Sequence, residues 1–108
     1  MVDEILTNTG IEYTETRFLY PPAGSYAVWF EDVATRGADG ALLIRDHSVT
    51  IELYSKKVDK VTETKIEAEM DSLVIPYDKS DRQWLNDEKL FMVVYSFDYI
   101  EKRRVMNG

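Results

Sequence analysis

The clearest regular pattern in the chain is an alternation of apolar and polar residues that predicts a long β-strand over residues 42–54. In the second half of this segment Val49, Ile51 and Leu53 point to one side, while the residues between them are polar. Residues 26–31 alternate in a similar way and predict a strand that is buried on one face and partly covered on the other. Two glycines within residues 35–40 predict a turn, so we expect these strands to form a hairpin.

A pattern with the period of an α-helix follows over residues 59–74. The residues that share one stripe of this helix are Val58, Thr62, Ile66, Met70 and Leu73. Asp59 suits the N-cap position, and Pro76 prevents the helix from continuing. We therefore expect an amphipathic helix that buries Ile66, Met70 and Leu73 against a sheet.

Weaker patterns complete the chain. They predict a helix over residues 2–9, an edge strand over 11–20, a break at 21–24, a polar strand over 77–84 and a central strand over 90–100. The elements then follow in the order α-β-β-β-α-β-β. This order predicts a single α+β domain over residues 1–108, in which an antiparallel sheet of about five strands has two helices packed on one face.

Size and composition fit one soluble domain. The chain has 108 residues, of which 44% are hydrophobic and 31% charged, so it is long enough for one core. It contains no cysteine, which excludes disulfides and thiol chemistry. The acidic first residues do not predict a secretory signal, and no apolar run is long enough to predict a membrane span.

The charge balance argues against a nucleic-acid surface. The formal net charge is -7, whereas binding to phosphates needs a concentration of lysine and arginine. The one basic cluster is Lys102-Arg103-Arg104, which is typical of a solvated chain end. A contact with a phosphate or an acidic partner is the alternative. We expect no sequence-specific binding of nucleic acid.

Few residues are candidates for chemistry. His47 is the only histidine, and no nucleophile or orienting acid is nominated for it, so we interpret it as a strand histidine at least partly in water. The acidic residues near the end of the chain lack the pattern of a calcium loop; they are Asp78, Asp81, Asp87 and Glu88. No catalytic residue, metal site or cofactor is predicted, and Gly37 and Gly40 are interpreted as turn glycines.

Aromatic residues make up 12% of the chain and include seven tyrosines. Without a positive field, packing in the core and at protein interfaces explains them better than stacking on nucleic-acid bases does. Tyrosine and tryptophan are residues that interfaces favour, so this composition points towards protein partners.

From Ser48 onward the sequence resembles the small tail-completion proteins of long-tailed bacteriophages and prophages, which include tail terminators and head-tail joining proteins. The likeness is carried by Val49-Thr50-Ile51-Glu52-Leu53-Tyr54-Ser55-Lys56-Lys57-Val58-Asp59, by the amphipathic helix, and by Trp84-Leu85-Asn86-Asp87-Glu88-Lys89-Leu90-Phe91-Met92-Val93-Val94-Tyr95-Ser96-Phe97. The first 45 residues share only the layout, a short helix followed by a hairpin.

The resemblance implies a virion protein at the tail-head interface that assembles in the host cytoplasm. Such proteins form a ring, usually of six subunits, that caps the tail tube and offers a surface to the head connector; the isolated subunit is either a monomer or already a ring. The candidate interface residues are Tyr20, Arg36, Gly37, Asp39, Gly40, Lys102 and Arg103. The choice between terminator and joining protein stays open. The alternatives are a small-molecule or peptide-binding module whose aromatic residues line a pocket, and, third, an enzyme.

Overall fold

The computed structural model describes residues 1–38 and 42–104. Its elements are α1 (Val2–Thr9), β1 (Glu12–Glu15), β2 (Tyr26–Ala38), β3 (Leu42–Ser55), α2 (Lys60–Ser72), β4 (Asp78–Lys79), β5 (Gln83–Leu85) and β6 (Leu90–Arg104). The predicted α+β class and the order of the elements are confirmed. The predicted strand over residues 77–84 is instead two short strands, β4 and β5.

One mixed sheet organises the molecule. Its strand order is β1-β2-β3-β6-β4, and β5 also pairs with β6. All pairs are antiparallel except β1 with β2, which run parallel, so the prediction of a wholly antiparallel sheet was wrong at this edge. The reason is that β1 ends early, at Glu15, and residues 16–25 lead the chain back to the end of the sheet where β1 began. The predicted edge strand over 11–20 is correspondingly shorter.

The core lies between the two helices and one face of the sheet. Ile66 and Met70 of α2 are fully buried there, as predicted, against core residues of the central strands such as Ile51 and Tyr95. Asp59 is the predicted N-cap, and its carboxylate accepts a hydrogen bond from the backbone N–H of Thr62 at 3.0 Å.

The prediction that Leu73 is buried was wrong. Leu73 is the C-cap of α2 and is 47% exposed. The chain turns away from the helix at this point, because Val74 has a φ of 55° and the N–H of Ile75 bonds back to the carbonyl of Met70. At the other end of the stripe Val58 is also exposed, because it precedes the N-cap.

Three strands continue past the helices as a projecting ribbon, the arm, which we define as residues 31–38 of β2, 42–48 of β3 and 98–104 of β6. The core ends at Val49 and Phe97, whereas residues 32–37 and 100–104 are exposed. The molecule is accordingly elongated, with extents of 53 × 29 × 22 Å.

The arm corrects two sequence-based predictions. Thr35 to Ala38 belong to β2 rather than to a turn, and the other residues of the predicted turn, Asp39 and Gly40, lie outside the described part of the chain. Lys102-Arg103-Arg104 is the last part of β6, paired with β3, rather than a loose chain end. Along residues 1–38 and 42–104, no helix is long and apolar enough to cross a membrane.

Candidate interaction surfaces

The end of the arm places basic side chains from two strands on either side of an apolar one. The register pairs Arg36 with Ile44 and Ile44 with Lys102, so the three side chains form a row on one face of the sheet. Neither of the two described helices covers this row, yet Ile44 is only 8% exposed. Long side chains can bury their aliphatic stems along apolar neighbours, so the positions of Arg36 and Lys102 on either side of Ile44 allow them to shield it while their charges stay in water.

The arm end is the basic part of an acidic chain. Of its cations, Arg36 bonds Asp46 at 2.9 Å, and Arg45 lies 3.7 Å from Glu101. The other cations at this end form no ion pair within the described residues; they are Lys102, Arg103 and Arg104. The arm end therefore presents uncompensated positive charge.

The structure brings four of the candidate interface residues together at this end. Arg36 and Lys102 share the row described above, and Gly37 pairs with Leu43, which pairs with Arg103. Asp39 and Gly40 are not among the described residues. Tyr20 lies elsewhere: it follows β1 in the segment that leads to β2, and it is 82% exposed.

Leu19 and Tyr20 lie in sequence between Phe18 and Pro21, two lining residues of a groove on the sheet face opposite the helices, and we call this exposed pair its rim. The groove has a volume of about 300 Å³ and is lined by Phe18, Pro21, Tyr26, Val28, Phe30 and Tyr54, with Thr16, Arg17 and Glu52 at its polar parts. Tyr26 and Tyr54 stack with ring centroids 5.1 Å apart, and Phe18 packs edge-on against Tyr26 at 5.5 Å. Leu19, next to Tyr20, is 77% exposed.

Carboxylates surround the groove. The register places Glu12 beside Tyr26 and Glu52 beside Val28 on the same face. Burial, with a contribution from the nearby carboxylate of Glu88, raises the pKa of Tyr26 above its usual value. Arg17 is the one cation in the lining.

A hydrogen-bonded cluster at the base of the arm holds His47. Its Nδ1 contacts Glu31 of β2, and its Nε2 lies 3.1 Å from Glu101 of β6. The hydroxyl of Tyr99 donates to the same Glu31 carboxylate at 3.0 Å. Only 12% of the His47 side chain is exposed, so the histidine keeps the partial contact with water that was predicted but is mostly enclosed by its neighbours.

The cluster fixes the histidine rather than preparing it for catalysis. Both ring nitrogens are engaged by carboxylates, so neither is free to take a proton from a substrate. Burial lowers the pKa of His47, but the hydrogen bonds to Glu101 and Glu31 outweigh it and leave the pKa above its usual value. The hydrogen bond to His47 is in turn the main reason that the pKa of Glu101 is lowered. Sequence reasoning missed these acids because they lie on other strands; only the register brings them to the histidine.

A second ionic cluster ties α2 to the segment of β4 and β5. The side chain of Glu63 is 3% exposed and receives two hydrogen bonds from the guanidinium of Arg82, at 2.8 and 2.9 Å. Lys79 reaches both Glu63 and Glu67 at 2.9 Å. The Tyr95 hydroxyl also donates to Glu67, at 2.7 Å. These contacts hold the segment against the helix.

The acidic residues near the end of the chain do not gather into a metal site. Asp78 lies in β4, whereas Asp87 and Glu88 lie in the turn before β6. In the described ranges, no group of three histidine, aspartate or glutamate side chains is arranged to hold a metal ion.

Comparison with known proteins does not identify a family for this chain. No protein-family model matches the sequence, and no curated protein matches it at a significant level.

Proposed function

We propose that this chain is a structural virion protein of a tailed bacteriophage or prophage, a tail terminator or head-tail joining protein that acts as a ring at the tail-head interface. The segments whose sequence carries the resemblance lie at two places in the fold: one at the end of β3 together with the N-cap of α2, and the other at the turn from β5 into β6. Its partners are then further copies of itself, the tail tube protein and the head connector proteins.

The observation that carries the proposal is the arm. Beyond Trp29, β2 has a neighbour only on the β3 side, and beyond Ser96, β6 has a neighbour only on its β3 side, among the residues described. Unpaired strand edges are sites where another chain can add its own backbone groups. A projection of this kind contributes nothing to the core of its own subunit, but it gives a subunit the reach that a ring requires.

The rival function, binding of a small molecule or peptide, would use the aromatic groove. Its volume of about 300 Å³ is at the lower end of the range for ligand sites. The large exposed side chains of Leu19 and Tyr20 stand on its rim, where a small ligand inside the groove would leave them in water. Exposed apolar surface of this kind favours a protein partner.

The test is to delete the gene from the phage or prophage that encodes it. We expect heads and tails that do not join, and joined particles again when the chain is supplied from a plasmid. Electron microscopy of induced lysates distinguishes these results. A tagged copy should be detected by gold-labelled antibody where the tail meets the head.

A matched control is a plasmid copy in which Leu53 is replaced by aspartate. Leu53 is 2% exposed in the core, so the variant should not fold and should not restore joining. Normal virions in the deletion strain, or a label found anywhere except the tail-head interface, would disprove the proposal.

A further inference from the structure

We propose that the basic end of the arm binds the aromatic groove of a second copy of this chain. The contact surface of the arm end is formed by Arg36, Leu42, Lys102 and Arg104, which lie on one face around the buried Ile44. This inference rests on the proposed function, because it names the contact by which the subunits of the ring join.

The two surfaces lie on one face of the sheet but far apart. Residues 26 to 38 of β2 pair with β3 in one continuous register, so Tyr26 and Arg36 point to the same side. The two positions are ten residues apart along the strand, which corresponds to about 33 Å at 3.3 Å per residue. A rigid sheet cannot fold the arm back over this distance, so the arm end can reach a groove only on another molecule.

Charge makes the two surfaces complementary. The arm end carries Lys102 and Arg104 on the relevant face, without ion pairs inside the described residues. The groove has Glu12 and Glu52 on the same face, and the carboxylate of Glu88 close to Tyr26; Arg17 is the opposing charge. The arm end is therefore net positive and the groove net negative, in a chain whose overall charge of -7 would otherwise keep copies apart.

Apolar surface matches as well. Leu42, which is half-buried and pairs with Arg104, is the apolar side chain that the arm end exposes, and the groove offers the rings of Tyr26, Phe30 and Tyr54. Cations close to such rings gain cation-π attraction when water is excluded. Leu19 and Tyr20 on the rim supply the exposed apolar contacts that flank the entering arm.

The contact also explains the separation of the candidate interface residues. Arg36 and Lys102 lie at one end of the molecule and Tyr20 at the other. A contact in which the two partners use different surfaces is heterologous, and its repetition around an axis gives a ring when the rotation between neighbouring copies closes. Both sets then belong to one interface, with one set from each subunit.

Charge reversal on the full chain tests the contact. The arm variant carries K102E and R104E, the groove variant carries E12K and E88K, and all four positions are exposed. Self-association is measured by sedimentation over concentrations up to about 1 mM, which detects weak contacts. We expect each variant alone to associate at least tenfold more weakly than the unmodified chain. An equimolar mixture should regain the association, because each arm then meets a groove of opposite charge.

Two further variants control the result. The pair K60E and K65E changes the charge equally on exposed positions of α2, on the other side of the sheet, and should associate like the unmodified chain. The pair L19S and Y20S removes exposed apolar side chains from the rim without touching the core and should weaken association. Circular dichroism establishes that every variant is folded.

The inference is wrong if the arm variant associates as strongly as the unmodified chain, if the mixture is no stronger than either variant, or if the unmodified chain stays monomeric throughout. The deletion experiment separates this failure from that of the proposed function. An arm variant that restores head-tail joining as well as the unmodified chain overturns the contact alone. An unmodified chain that is absent from virions overturns the function, whatever the sedimentation result.

Discussion

His47 of β3 lies flat on Tyr99 of β6, with ring centroids 4.2 Å apart and ring planes 4° from parallel. The two residues are direct partners in the register, and Glu31 contacts both of them. The stack therefore joins all three strands at the point where the arm leaves the core.

We expect the stability of the protein to depend on pH through His47. The groups that face it are Glu31, Glu101, Tyr99 and, through Glu101, Arg45. The folded-state pKa of His47 is raised, so its contribution is fully present below the unfolded value of about 6.5 and is lost as pH rises through the folded-state pKa. Tyr99, whose pKa burial and the Glu31 hydrogen bond raise to about 12, stays neutral in this range.

The measurement is chemical unfolding of the unmodified chain and of H47Q between about pH 6 and pH 9. The difference in unfolding free energy should be largest at the acid end and shrink as pH rises. R36Q is the control, because an arginine keeps its charge over this range and its difference should not shrink. If the difference in unfolding free energy between H47Q and the unmodified chain is the same at every pH, the folded state does not stabilise the imidazolium form of His47.

The helix α2 provides a comparison between two apolar residues of the predicted stripe. Ile66 is fully buried, so I66A should lower the unfolding free energy by about 2 to 5 kcal/mol. Leu73 is nearly half exposed, so L73A should cost less than about 1 kcal/mol. Equal losses for the two variants, measured by urea unfolding, would contradict the position of Leu73 outside the core.

Loss of the Glu63 charge should loosen the segment of β4 and β5. Burial raises the pKa of Glu63, but the hydrogen bonds from Arg82 and Lys79 outweigh it, so the carboxylate is ionised at neutral pH. Because both cations are about one-third exposed, we expect E63Q to cost about 1 to 3 kcal/mol, less than a fully buried pair would.

Hydrogen exchange identifies where the loss occurs. The amides of β4 and β5 should exchange faster in E63Q than in the unmodified chain. D71N removes one charge from the exposed side of the same helix and should change neither stability nor exchange by much. Faster exchange confined to α1 would place the effect of Glu63 elsewhere.

The sequence predicts the elements whose burial pattern repeats over many residues. β3 and α2 are recognisable because one face of each must be apolar, and Ile51, Leu53, Ile66 and Met70 are buried as that pattern requires. The parallel pairing of β1 is not predictable in this way, because strand direction depends on the path of residues 16–25.

The candidate surfaces were only partly predictable. Arg36 and Lys102 were recognised as interface candidates, but the polar sequence of the last part of β6 is typical of a chain end and hides its pairing with β3. The groove could not be predicted from the sequence, because its lining residues Phe18 and Tyr54 belong to segments that are distant in sequence. The His47 cluster could not be predicted for the same reason, because its carboxylates come next to the histidine only when the strands are paired in register.

The pairing of β3 with both of its neighbours has a consequence for the order of folding. Ala38 of β2 and Leu42 of β3 are paired and are close in sequence. This hairpin can therefore form locally, and its pairing can extend from the arm end towards the core. β3 and β6 are expected to pair in the opposite direction, towards the arm end. Among their pairs, Ser55 and Phe91 are closest to each other in sequence, whereas Leu42 and Arg104 are farthest apart in sequence. We therefore expect the last residues of β6 to join late, which pulse-labelling hydrogen exchange during refolding would detect as late protection at residues 100–104. The cationic strand end would then be the last part of the chain to become structured, so the contact proposed for it could form only after the rest of the chain has folded.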